Sequence, residues 1–154
     1  MEKQDQAARY FLDGYNCTQS VLLSYQEELQ LDREALLKMG ASFGGGMGRL
    51  RQVCGTVSGM FMVLGLLYGY TEPKDLEGKT KHYERVQALA ERFEQRNGSI
   101  VCREILGLRQ KKDPPKPSER TAEYYKKRPC AKMVYDAVEI LEEFRKELEA
   151  EDKK

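Results

Sequence analysis

The chain has 154 residues, with 26 Lys and Arg against 25 Asp and Glu, and a formal net charge of +1. That balance leaves no electropositive footprint for nucleic acid. The length fits one domain, spanning 1–154, and a chain this size buries roughly 68–70% of its unfolded surface, so it needs neither disulfides nor metal merely to fold.

The hydrophobic pattern is helical nearly throughout. Residues 3–13 carry Ala8, Phe11 and Leu12 on one side. A turn at Gly14-Tyr15-Asn16 precedes a helix from about Cys17 to Leu29. Asp32 caps a short helix through Met39, with Glu34 in its first turn, where acid suits the helix dipole. The glycine-rich loop GASFGGGMG, 40–48, leads into an uncharged helix expected from about Arg51 to Tyr68. Glu72-Pro73 is expected to open a long helix to about Arg96, with an apolar stripe of Leu76, Tyr83, Val86, Leu89, Ala90 and Phe93. Asn97-Gly98 stops it, and a short helix follows from about Ser99 to Leu106. A polar, proline-rich connector occupies 111–120, and the last helix runs from about Pro129 to Leu148. No segment alternates as a strand would. The expectation is an all-α, single-domain bundle of about five main helices, with a glycine-rich loop before the central helix.

The twenty uncharged residues from Gln52 to Thr71 are long enough to span a bilayer. Their glycines, Thr56 and Ser58 favour a buried central helix instead, so no stable membrane span is expected. Gly55 and Gly59 form a small-x-x-x-small pair that admits a close neighbour: a helix, a second copy of the chain in a homodimer, or a cofactor. The polar start MEKQDQAARY carries no export signal, which points to the cytoplasm, where cysteines stay reduced.

All four cysteines follow a chain break and open a helical pattern. Cys17 aligns with Val21 and Ser24, Cys54 with Val57, Ser58 and Phe61, Cys102 with Ile105 and Leu106, and Cys130 with Met133, Val134 and Ala137. Residues three and four apart share a helical face, so all four thiols are expected to point inward. Helix starts offer unpaired N–H groups and partial positive charge, which stabilise thiolates. At least one thiol is therefore expected below the ordinary value of about 8.5, with Cys54 the closest contest between dipole and burial. The bland reading is that the four are small hydrophobes filling a core. There is no C-x-x-C pair, hence no thioredoxin motif and no zinc ribbon.

The stretch VCGTVSGMFMVLGLLYG, with one cysteine before it and two after, resembles the C-GCAxxG-C-C family of proteins with a proposed redox role. Set as Cys-Gly-Ala-x-x-Gly on 54–59, the motif departs at Thr56, where alanine is usual. Cys17, Cys102 and Cys130 match the other cysteines. The resemblance implies a small helical protein whose four cysteines form a redox or metal site.

Other candidates are weaker. The glycine loop lacks the P-loop and dinucleotide-binding spacings. Arg49 and Arg51 either add positive potential near Cys54 or face water, with at least one expected in water. His82, the single histidine, sits at the edge of an apolar face as a candidate fifth participant. The segment KKDPPKPSERTAEYYKKR reads as a solvated linker.

Two classes of function follow. In the first, Cys17, Cys54, Cys102 and Cys130 converge as catalytic thiols or as ligands of an iron–sulfur cluster or zinc ion, serving a thiol oxidoreductase or an electron-transfer protein with a redox partner protein. Convergence at helix starts favours the bound-metal version, and cycling between dithiol and disulfide is its rival. In the second, the chain is a non-catalytic helical interaction or dimerisation module. Clustered sulfurs mark the first and scattered ones the second.

Overall fold

The structure, a computed structural model, describes residues 1–153. Among the described residues nine regular helices make up the fold: α1 (Lys3–Leu12), α2 (Cys17–Ser24), α3 (Gln26–Leu29), α4 (Arg33–Gly40), α5 (Gly55–Tyr68), α6 (Leu76–Asn97), α7 (Cys102–Leu106), α8 (Ala122–Lys127) and α9 (Cys130–Asp152), the turn at Gly44–Met47 being left-handed inside. The protein is all-α, as expected. Among the described residues none forms a strand longer than one isolated antiparallel bridge, Val53 to Val101. No helix among them is long and apolar enough to cross a membrane.

The core follows from the apolar stripes. α5 packs on α2, α1 lies along α9, and α6 closes against α9. Val21, Leu22, Val57, Met60, Leu64, Val134, Ala137 and Leu141 meet there with no exposed surface. Gly59 explains how closely α2 approaches α5: a Cβ at Gly59 would lie 3.0 Å from Val21 Cβ and 3.2 Å from Thr18 O. Thr18 Oγ1 donates across the same contact to Gly55 O at 2.7 Å.

The expected helix from Cys17 to Leu29 breaks at Tyr25 into α2 and α3, and three further boundaries differ from expectation. The central helix starts at Gly55 rather than Arg51, because the backbone before it pairs with the segment before α7: Cys54 N donates to Ile100 O at 2.7 Å and Cys102 N to Gln52 O at 2.6 Å. Glu72-Pro73 lies in a turn, and the long helix waits for Asp75, whose carboxylate accepts from Gly78 N at 2.9 Å. The first turns of α6 therefore project, leaving Leu76 and Tyr83 exposed rather than in the stripe. The segment after the connector adds α8, capped by Thr121 accepting from Tyr124 N.

The glycine-rich loop turns left-handed. Gly45, Gly46, Met47, Gly48 and Arg49 run consecutively at positive φ, and Arg51 follows at +58°. Left-handed backbone costs roughly 1–2 kcal/mol per residue bearing a Cβ, so glycines dominate the run.

Candidate functional site

The geometry around the cysteines is set by short-range capping and one long-range pairing. Asn16 caps α2 in a reciprocal box: its side chain accepts from Gln19 N at 2.8 Å, and Gln19 Oε1 accepts from Asn16 N at 3.1 Å. Asn16 Nδ2 also donates to Gly40 O at 3.1 Å, and Gln19 Nε2 to Leu37 O at 3.0 Å, fixing the start of α2 to the end of α4. Cys17 is the first residue of that helix. Cys102 and Cys130 are likewise the first residues of α7 and α9, and Cys54 is the N-cap residue of α5. The Val53–Val101 bridge sets Cys54 and Cys102 on the same side of the two paired segments, since opposed residues point the same way and successive residues alternate.

All four cysteines are free thiols, and all four line one cavity of about 60 Å³. Cys54 and Cys102 are buried, and Cys17 and Cys130 half-buried. Core-filling cysteines would scatter; these gather. Gly55 makes room for the sulfur of Cys17, because a Cβ there would lie 2.6 Å from Cys17 Sγ, 2.7 Å from Thr18 Oγ1 and 2.8 Å from Phe43 O. Gly46 does the same behind Cys102, where a Cβ would lie 2.7 Å from Cys102 Cβ. Of the two glycines expected at a cofactor, Gly55 lines the cavity and Gly59 lies against α2.

Burial governs the thiols. It pushes Cys54 far above the ordinary range, and negative charge on Cys17 would push it further. It pushes Cys130 up to about 12, helped by Cys17 and Cys102 and opposed by Arg128 and Arg120. Cys102 is raised by burial too, against the pull of Arg51. The contest expected at Cys54 goes to burial: desolvation outweighs the field of a helix start. One group opposes it at Cys54. The Thr56 hydroxyl and N–H both favour the Cys54 thiolate, and the Thr56 Oγ1 atom is buried without a hydrogen-bond partner. Thr56, where the motif read on 54–59 departs from alanine, thus carries a hydroxyl that favours the Cys54 thiolate.

Arg51 does not face water. It is 3% exposed, its Nε donates to Asp113 Oδ2 at 2.7 Å, and its Nη1 lies 3.5 Å from Cys102 Sγ. Its neighbour is therefore Cys102, not Cys54. Arg49 is held as well, donating to Pro114 O at 2.7 Å. The segment expected to be a solvated linker folds back over the cavity. Asp113 takes Arg51; Arg120 donates to Phe11 O at 3.0 Å and Tyr15 O at 3.1 Å; and Arg120, Tyr124 and Arg128 line the cavity wall. No local pattern announces these contacts, since each spans about a hundred residues or joins separate loops. His82 lies elsewhere on α6, edge-on to Tyr70, and takes no part in the cavity.

Four thiolates are the donor set that soft metals and iron–sulfur clusters prefer. Among the described residues, however, no group of three or more His, Cys, Asp or Glu is placed to hold a metal ion. The donors fit by type and not by placement.

A helical fold that closes four thiols around one small cavity defines a class: small all-α four-cysteine proteins. The chain matches the family model described as "Putative redox-active protein (C_GCAxxG_C_C)" over residues 15–144, and it belongs to that family. The signature writes its second cysteine inside GCAxxG, so on Cys54 it sets Val53, Gly55 and Ser58 at the Gly, Ala and Gly positions, one residue earlier than the reading on 54–59. In that register Val53, Gly55 and Ser58 all depart from the signature, although Gly55 and Ser58 keep small residues at their positions. No curated protein and no solved structure matches the chain.

Proposed function

We propose that the protein is a cytoplasmic thiol–disulfide redox protein whose working state alternates between four thiols and a disulfide joining Cys17 to Cys54. The observation that carries this reading is the gathering of four free cysteines on one cavity of about 60 Å³. Cys17 is the common member. Its charge bears on Cys54, Cys102 and Cys130 alike, and its sulfur packs against Gly55, the residue beside Cys54. Forming the bond removes two electrons and two protons from the pair and delivers them to a two-electron thiol oxidant. Cys102 and Cys130 stand beside the pair as the second dithiol. The redox description of the family supports exchange.

The test is a titration. Protein purified without oxygen and reduced is expected to show four free thiols in denaturant and to consume one equivalent of a small disulfide, leaving two. Metal content below one atom per five chains accompanies that result. A stoichiometric metal with thiols inert to the oxidant contradicts the proposal.

The pH dependence follows from the raised thiols. Thiolate is the attacking species, and below its pKa the thiolate fraction grows tenfold per pH unit, so the rate of oxidation is expected to climb about tenfold per unit wherever a raised thiol attacks, without levelling near the ordinary value of about 8.5. Thr56→Val removes the waiting donor at nearly constant volume. Closure of the disulfide through Cys54 is expected to slow about tenfold at pH 8, the net worth of one hydrogen bond to a charge, while thermal stability holds. Stopped-flow rates against pH check both; equal rates in the two proteins would remove Thr56 from the chemistry.

A further inference from the structure

The thiol cavity does not stand alone. A second pocket of about 280 Å³ lies against it, and the two share Asn16, Gly45, Arg120 and Tyr124 as a common wall. The left-handed glycine loop forms one side of this outer pocket, and Pro115, Pro117 and Ser118 of the connector form the other. The charges are one-sided. Arg51, Arg120 and Arg128 line the inner cavity, Arg49 and Arg120 the outer pocket, and no Asp or Glu lines either among the described residues. Asp113 serves both Arg49 and Arg51, at 3.9 and 2.7 Å. Arg120 spends its donors on two neutral main-chain carbonyls, so its charge stays uncompensated. Arg128 lies over the Tyr124 ring, 5.4 Å from its centre, and no carboxylate salt bridge involves it among the described residues.

We infer that the outer pocket is the entry and binding site for a small anionic disulfide, held by its carboxylate or sulfonate against Arg120 in the shared wall, with its S–S bond directed into the inner cavity that Arg128 and the four cysteines line. The inference rests on the thiol–disulfide reading above. A cleft lined by one sign of charge, with low-dielectric walls, concentrates ions of the other sign. Guanidinium groups match carboxylate and sulfur oxyanions in geometry as well as charge. The size of the pocket suits a low-molecular-weight ligand rather than a protein segment, and the connector roofs it. The exchange balances. A protein thiolate attacks one sulfur of the ligand and releases the other half as a thiolate, and a mixed disulfide forms. A second cysteine then displaces the remaining half, closing the protein disulfide. Two protein thiols lose two electrons and two protons, and the ligand becomes two thiols.

The probes are 5,5′-dithiobis(2-nitrobenzoate), which carries two carboxylates, 2,2′-dithiodipyridine, which is neutral, and cystamine, which is cationic. Each rate is divided by that of the same reagent with a free small thiol at the same pH. At low ionic strength the normalised rate with the dicarboxylate is expected to exceed that with the neutral reagent by about tenfold or more, the scale of electrostatic enrichment in a charged cleft, and cystamine should rank last. Arg128→Gln is expected to cut the anion-to-neutral ratio severalfold, and the wild-type protein in 1 M salt should show the same loss, which keeps the test intact if the variant folds poorly. A wild-type ratio of one or less, or a ratio that neither the variant nor salt changes, overturns the inference while leaving the redox reading standing. Failure of all three reagents to close an intramolecular disulfide overturns both.

Discussion

Replacing Cys54 with serine is expected to abolish disulfide formation with Cys17 and to leave the fold as stable as before. The two halves have separate causes. Cys54 is the N-cap residue of α5, and its side chain makes no capping hydrogen bond. Serine is among the preferred N-cap residues, and a serine there is worth about 0.5–2 kcal/mol over alanine. Its oxygen could accept from the Thr56 N–H and hydroxyl, the two groups that favour the Cys54 thiolate. That gain offsets the cost of burying a hydroxyl in place of a thiol, and almost no cavity is left behind. The expected shift in stability lies within about 1 kcal/mol, which for a chain of this length is about 2–4 °C in melting temperature. The oxidation chemistry, by contrast, has no substitute for the missing sulfur. Intramolecular disulfide is expected to fall more than tenfold in a thiol titration. If stability drops by several kcal/mol and the remaining thiols oxidise as before, Cys54 is core filler and the site reading fails.

Gly46→Ala is the substitution expected to destabilise most. Gly46 has φ +67°, and an added Cβ would lie 2.7 Å from Cys102 Cβ, 2.8 Å from Arg51 Cα and 2.9 Å from Gln52 N. Two of those three atoms belong to backbone that pairs with the segment before α7, so they have little freedom to move. Left-handed strain of roughly 1–2 kcal/mol adds to overpacking of roughly 1–3 kcal/mol. A fall of about 10 °C in melting temperature follows. Relief of the clash would push Cys102 away from the cavity, so its alkylation rate should rise at the same time. Gly107→Ala is the matched control: φ is +66° there, but nothing lies within 4 Å of the added carbon. It should carry the strain alone and cost about 1 kcal/mol. Equal losses in the two variants would mean that the close approach behind Cys102 is unimportant.

What the sequence revealed of this site was local. The capping of α2 by Asn16 shows in the chain because donor and acceptor lie three residues apart. The inward direction of each cysteine shows because residues three and four further on are apolar. The all-α class shows in the same periodicity. The contacts that electrify the site are not local. Arg51 meets Asp113 across 62 positions, and Arg120 reaches Phe11 across 109. Their side chains are hydrophilic, so every local rule assigns them to solvent. The start of the central helix was misread for a related reason. Residues 51–54 contain no glycine or proline to mark a break, and pairing with residues 100–103 holds them out of the helix. Burial of the thiols is a tertiary property as well: the helix start can be read from sequence, but the burial that outweighs its effect on Cys54 cannot.

The most direct measurement is the identity of the first disulfide. Reduced protein at low concentration, treated with one equivalent of a small disulfide and trapped with acid, is digested and its linked peptides identified by mass. The account predicts an intramolecular bond between Cys17 and Cys54 as the dominant product, with Cys102 and Cys130 still alkylatable. Recovery of four alkylated cysteines after the oxidant has had time to react, or of links only between separate chains, would contradict it.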